Sequence, residues 1–322
     1  MSELHSGLAV LTSPAVLFFF LGAAAAFVRS DLTIPEAASK TLSLYLMLCI
    51  GFKGGVEARA AGASTDFGAA ALIGLGLSAL TPLLAWAILT RFRGLDRATA
   101  GALAATFGSV SVVTFAAGQE HLAALGTSSS GYMAAVLALM ETPAILTALL
   151  LLNRGRRRAD GGKVFREVFF GAASIMLLGS FVVGLISGDA GMTRLQVFTG
   201  PLFQGALCFF LLDLGLNAAR RLTAERGVLN AGLIAFAILF PVASAMIAMA
   251  LARLAGLGAG DATLLVILAG SASYIAVPAA MRLAAPTASP GVFVTLALAV
   301  TFPFNLIVGI PAYATGVAGL WA

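Results

Sequence analysis

Ten apolar runs follow one another along this chain, most of them about as long as a bilayer is thick, with only short polar interruptions. They fall at roughly 14–28, 38–58, 67–90, 97–118, 131–152, 166–187, 195–219, 228–254, 262–284 and 291–318. A helix crosses the hydrocarbon core of a membrane in about 20 residues. Backbone placed there must satisfy its own hydrogen bonds, which leaves helices as the natural form for such runs. Charge is scarce enough to agree: 33 charged side chains (19 basic plus 14 acidic) in 322 residues, or 10%. A soluble domain carries about 25%. That excludes an ordinary soluble enzyme, a disordered linker protein and a nucleic-acid-binding domain. The expected fold class is an all-α integral membrane protein with ten transmembrane helices.

The few charges are unevenly placed. Fifteen of the 19 Lys and Arg residues fall in the interruptions after runs 1, 3, 5, 7 and 9, beginning with Arg29 and Lys40 and ending with Arg282. The opposite side holds Lys53, Arg59, Arg194 and Arg253. Basic residues collect in cytoplasmic loops, so both termini are expected outside the cytoplasm, and the net charge of +5 needs no polyanionic partner. The longest polar stretch, 154–165, is a basic cytoplasmic linker dividing the chain into five-span halves, 1–153 and 166–322. Its alternative use is as a docking site for a soluble partner or anionic lipid. Cys49 and Cys208 lie in apolar runs, and His5 and His121 stand alone in expected loops, so no disulfide framework or metal spacing appears. The first run has no positive segment before it and is read as a span, not a cleaved leader.

The halves echo one another. Gly108-Ser-Val-Ser111 in span 4 returns as Gly270-Ser-Ala-Ser273 in span 9, an offset of 162. Leu80-Thr-Pro82 returns as Leu239-Phe-Pro241, Pro143 matches Pro303, and Gly54 matches Gly215. A repeat of five spans must come back upside down. Inverted repeats of this kind mark secondary transporters, whose substrate site lies near the midplane where the repeats meet.

The Gly-Ser-x-Ser pair is where chemistry is expected. Glycine lets the backbone leave helical geometry, and serine hydroxyls replace the hydrogen bonds lost. Two helices broken at the same depth aim backbone N–H groups and partial positive charge at one point, a site for a small anion without an arginine. The candidate anion residues are Gly108, Ser109, Val110, Ser111, Gly270, Ser271, Ala272 and Ser273. Nearby oxygens from Thr106, Thr114, Glu141, Thr142, Thr301 and Asn305 are candidate ligands for a hard cation such as sodium. The alternative is that these small residues only permit close helix packing. Carboxylates at membrane depth face a cavity or a partner. Glu141 is thus either a cation ligand or a carboxyl bonded between helices, and Asp213 is a candidate ion-pair partner for Lys53. No P-loop, GxSxG elbow or HExxH appears, so neither ATP-driven transport nor hydrolysis has a motif.

Gly51-Phe-Lys-Gly-Gly-Val-Glu57, Phe107-Gly-Ser-Val-Ser-Val-Val-Thr-Phe115, Leu139-Met-Glu-Thr-Pro-Ala144 and Gly270-Ser-Ala-Ser-Tyr-Ile-Ala-Val-Pro-Ala279 resemble the sodium-dependent bicarbonate transporters of the SbtA type. The resemblance runs from span 1 to span 10. It implies two inverted five-helix repeats, similar to bile-acid symporters and sodium/proton antiporters, with broken helices in spans 4 and 9. Spans 3–5 and 8–10 would form a mobile core and spans 1, 2, 6 and 7 a scaffold, past which the core moves like an elevator. It further implies a homotrimer in the bacterial inner membrane, with bicarbonate held between the two Gly-Ser-x-Ser segments and Na+ beside it as the coupling ion. Cyanobacterial members have a PII-like regulatory partner; the basic linker here is short and carries no clear docking motif for one. A carrier for another small anion and a non-transporting anion-sensing receptor are the rival expectations. The receptor is disfavoured by short loops.

Overall fold

In the computed structural model, which describes residues 13–62, 64–92, 94–153, 170–225, 227 and 229–321, every regular element is helical. In chain order these are α1 (Pro14–Phe27), α2 (Glu36–Ala61), α3 (Thr65–Leu89), α4 (Arg97–Gly108), α5 (Val112–Ala124), α6 (Met133–Asn153), α7 (Ala172–Thr199), α8 (Pro201–Ala224), α9 (Ala231–Leu254), α10 (Ala259–Ala269), α11 (Ala276–Ala284) and α12 (Pro290–Trp321). Seven stretches among the described residues are long and apolar enough to cross a membrane, with α4 and α5 counted together. α1 and α10 are shorter apolar helices. α2 has 26 residues but carries Glu36, Lys40, Lys53, Glu57 and Arg59. The protein is a multi-pass membrane protein. The basic linker 154–165, and the second half up to residue 169, lie outside the described residues.

Small polar residues start the helices. Ser13, Ser64, Asp96, Ser111 and Asn230 each accept a hydrogen bond from the backbone N–H three residues on, satisfying a first-turn donor that has no partner within its helix. At Asp96, burial alone would raise the carboxyl, but the hydrogen bonds it accepts outweigh this and hold it below the ordinary carboxylate range.

Two sets of helices pack tightly. In one, α1 lies on α8 and α2 on α7. These contacts are backbone to backbone: a Cβ on Gly22 would overlap the Leu212 carbonyl oxygen, and one on Gly215 would overlap that of Phe19. Likewise a Cβ on Gly184 would overlap the Phe52 carbonyl, and one on Gly55 that of Phe181. Small residues allow this approach where no hydrophobic force between helices exists. The contact equivalent of Gly215 is thus Gly55, one residue beyond the sequence match at Gly54. In the other set α3 packs on α4 and α6, α9 on α10 and α12, and α5 on α10.

Two segments differ from expectation. The loop expected between spans 6 and 7 is helical: α7 runs on to Thr199 through a kink at Gly188, whose φ of 55° favours glycine. Arg59, in the last turn of α2, donates to the carbonyls of Leu185 (3.1 Å) and Ile186 (2.6 Å), which the kink leaves free. His121, expected in a loop, is buried in the last turn of α5. α12 contains two π-helical stretches, Leu296–Thr301 and Asn305–Gly309, on either side of Pro303. A proline removes a helix donor, and such widened turns concentrate at functional sites.

Candidate functional site

Both Gly-Ser-x-Ser segments interrupt their helices. α4 ends at Gly108, Ser109 is extended (φ −89°, ψ 176°), and α5 begins after Ser111 (φ −112°, ψ 115°). α10 ends at Ala269, and α11 begins only at Ala276, with no side-chain cap. The glycines also make room. A Cβ on Gly108 would run into Pro82 of α3, and one on Gly270 would meet Tyr313 and Ala245 at 3.0 and 3.1 Å.

The interrupted segments cross and bond to each other. Ser273 N–H donates to the Thr106 carbonyl at 2.9 Å, and Ser111 N–H donates to Ser271 Oγ at 2.9 Å. Ser271 Oγ in turn donates to the Leu268 carbonyl at 2.7 Å. The Ser111 hydroxyl accepts from Thr114 N–H at 3.2 Å and donates to the Tyr274 hydroxyl at 3.3 Å. The broken end of α4 thus spends the Thr106 carbonyl on the crossing, while that of α10 spends the Leu268 carbonyl on Ser271 of its own segment. The first N–H groups of α5 and α11 remain, by helix geometry, without intrahelical partners.

Most of the expected site residues gather here. Ser109, Val110, Ser111, Ser271, Ala272 and Ser273 are all buried, as are Gly108 and Gly270. Ser109 Oγ donates to the Glu141 carbonyl at 3.4 Å, tying the first break to α6. Asn305 Nδ2 donates to the Gly270 carbonyl at 2.8 Å, tying the second to α12. Thr106 Oγ1 and Asn305 Oδ1 are buried without a hydrogen-bond partner. The Thr301 hydroxyl is committed to the Ala237 carbonyl at 2.7 Å. Thr114 is buried beside its cap, and Glu141 and Thr142 line a cavity.

That cavity, about 780 Å³, opens beside the crossing. One wall comes from α2 and α8 (Ser39, Lys40, Asp213, Asn217, Arg221) and the other from α6, α12 and the second break (Glu141, Tyr274, Ile275). A smaller one, about 200 Å³, lies between the other half of α2 (Ile50, Lys53, Glu57) and α5 (Gln119, Glu120). Lys53 and Asp213 thus line different cavities. The Lys53 ammonium sits 6.0 Å from the Phe203 ring centroid, and Asp213 accepts from Asn217 at 2.9 Å.

Sequence reasoning overlooked two polar anchors. Asp261, buried in the first turn of α10, accepts from Ser130 N–H (2.6 Å), Ser130 Oγ (2.8 Å) and the Tyr132 hydroxyl (2.5 Å). At the other end of the crossing, Thr99 Oγ1 in the first turn of α4 accepts from Ser289 N–H at 3.0 Å. Each anchor pins the loop after one broken helix to the start of the other. The signal was present: 261 minus 99 is 162, the same offset as the serine motifs. Tyr274 was also overlooked, although a phenol directly after Ser273 in an apolar span needs a partner for its hydroxyl.

No curated protein matches this sequence closely enough to be called a relative. The family model of the Na+-dependent bicarbonate transporter superfamily, however, matches residues 14–318. With nearly its whole length matched, and with both serine motifs of the resemblance inside the matched region, the chain belongs to the Na+-dependent bicarbonate transporter superfamily.

Proposed function

We propose that this chain is a sodium-coupled bicarbonate symporter of a bacterial cytoplasmic membrane, working by an elevator-type alternating-access motion. The observation that carries the reading is the crossing of the two broken segments, bonded through Ser111, Ser271, Ser273 and Thr106. It joins the interrupted segments that precede α5 and α11, and each helix N-terminus carries about half a positive charge. Bicarbonate, with one charge and three oxygens, suits the first backbone amides of α5 and α11 and the Ser273 hydroxyl, while the Ser109, Ser111 and Ser271 hydroxyls, which donate to Glu141, Tyr274 and Leu268, hold the segments in place. For sodium, the unpartnered Thr106 Oγ1 and Asn305 Oδ1 are the favoured ligands. Buried polar atoms without partners call for an explanation, and unwound segments in transporters coordinate sodium through such oxygens. Glu141 and Thr142, which line the larger cavity, and the buried Thr114 and Thr301 are the further candidate ligands.

Several contacts support two inverted repeats. Exchanging the halves turns the α1–α8 contact into the α7–α2 contact, glycines included, and turns the Thr99 anchor into the Asp261 anchor. The α1, α2, α7, α8 set would be the scaffold and the other set the moving core, with one cavity on each side of the crossing. The larger cavity, bounded by Lys40 and Arg221, faces the cytoplasm under the charge asymmetry. The apolar face of α7 (Ile175, Val182, Val183, Ile186) is uncovered and suits lipid or a homotrimer contact. One sodium per bicarbonate is electroneutral; each further sodium adds about 2.3 kcal/mol per 100 mV.

The site is tested by uptake of labelled bicarbonate into proteoliposomes by the native chain and by Ser109→Leu and Ser273→Leu. Filling the crossing should abolish uptake in both variants while the protein still reconstitutes. Uptake surviving both changes would move the site elsewhere. Stronger competition by formate or nitrate than by bicarbonate itself would assign the carrier to another small anion.

A further inference from the structure

The four serines of the crossing do not line the larger cavity, whereas Tyr274, next to Ser273 in the chain, does. Tyr274 lines that cavity and, at the same time, its hydroxyl accepts from Ser111 Oγ on the opposite broken segment at 3.3 Å. Its ring packs edge-on against Phe302 of α12, with centroids 5.6 Å apart and planes at 64°. Phe302 packs edge-on in turn against Phe19 of α1, at 5.5 Å and 73°. Tyr274 and Phe302 belong to the set holding the crossing, whereas Phe19 belongs to the α1–α8 pair. All three are buried.

We propose that Tyr274 is the gate between the crossing and the larger cavity, and that the Phe302–Phe19 contact ties its position to the relative placement of the two helix sets. While Phe19 backs Phe302, the ring is held over the crossing and its hydroxyl stays on Ser111. A shift of one set past the other removes Phe19 from behind Phe302, frees the ring to turn, and opens a path from Ser111 to the cavity. The phenol is suited to this because its apolar ring seals while its hydroxyl is one hydrogen bond from release. The inference rests on the transport reading for its purpose, but its geometry does not depend on which ion moves.

The test is thiol accessibility. In a Cys49→Ala, Cys208→Ala background, Val110→Cys places a thiol in the first broken segment. A small anionic methanethiosulfonate is then applied to purified protein and, in oriented vesicles, from the face bearing Lys40 and Arg221. With Tyr274 intact, labelling should be slow. Tyr274→Phe, which loses one hydrogen bond and keeps the ring, should raise the rate about fivefold. Tyr274→Ala should raise it further. Phe19→Ala, on a different helix set, should raise it about two- to tenfold by removing the aromatic backing. Equal rates in all four proteins overturn the gate, and a rise for the Tyr274 variants without one for Phe19→Ala overturns the link between the sets. If Tyr274→Ala fails to fold, Tyr274→Phe and Phe19→Ala still decide. Sodium-driven uptake measured in parallel on the native chain separates the two ideas: its absence removes the transport reading and leaves the labelling series standing.

Discussion

Replacing Asp261 by Ala should be among the most damaging single changes in the protein, even though the residue lies at the end of α10, away from the crossing serines. Its carboxylate accepts three hydrogen bonds, from Ser130 N–H, Ser130 Oγ and the Tyr132 hydroxyl. Hydrogen bonds to a charged group contribute about 1.5–3 kcal/mol each, but three that share one acceptor are not additive. Ser130 is only partly buried, so water recovers part of the loss. A net cost of about 3 kcal/mol follows, which on the scaling of soluble domains is a fall of roughly 6–12 °C in the unfolding midpoint. The anchor at Thr99 gives the internal control. Thr99→Val removes one neutral bond, from Ser289 N–H at 3.0 Å, and should cost about 1 kcal/mol. Tyr132→Phe, which removes one of the three Asp261 bonds, should fall between. Thermal unfolding of purified protein in detergent, followed by intrinsic fluorescence or loss of monodispersity, measures all three. An Asp261→Ala protein that unfolds no earlier than Thr99→Val would show that the difference in charge and bond number has no consequence.

Gly55→Ala and Gly215→Ala each push a methyl into a facing backbone carbonyl. Each should lower stability by about 1–3 kcal/mol in a denaturant titration; tolerance of both would disprove the tight α1–α8 and α2–α7 contacts. Ser271→Ala leaves the buried Ser111 N–H without its acceptor and should cost about 1–3 kcal/mol together with a loss of bicarbonate uptake. Asp96→Ala removes the N-cap of α4 and should cost about 1 kcal/mol at neutral pH. Because the folded carboxyl titrates below its ordinary value of 3.8, this contribution is fully present above that value. It is lost only as the pH falls through the lower folded value. Native and variant stabilities should therefore converge in strong acid and stay apart at pH 5–7.

How much of this was readable from residues follows from what kind of force decides each feature. Seven long apolar stretches were legible because apolar length decides them, and the two interruptions because Gly and Ser together weaken a helix locally. The partners across the crossing were not legible. That Ser111 meets Ser271, and Ser273 meets Thr106, depends on how two distant helices pack. The helix beyond Gly188 was hidden because Asp189 and Arg194 read as a polar loop, while Arg59, far away in sequence, caps the kink that makes it possible. His121 looked like a loop residue because Gln119 and Glu120 precede it, yet it is buried in the end of α5. Lys53 and Asp213 sit at similar places in their spans, but in the fold they line different cavities. The widened turns of α12 had Pro303 as their one sequence signal, and a proline marks a disturbance without saying how the chain absorbs it.

On the proposed function, sodium and bicarbonate move together through the crossing of the two broken helices. That joint movement is tested most directly by loading proteoliposomes of the purified chain without sodium and adding labelled bicarbonate outside, with either sodium or potassium as the cation. Accumulation above equilibrium is expected with external sodium, little uptake with potassium, and collapse of the accumulated label when an ionophore dissipates the sodium gradient. Equal uptake in sodium and potassium, or accumulation that survives the ionophore, would contradict it.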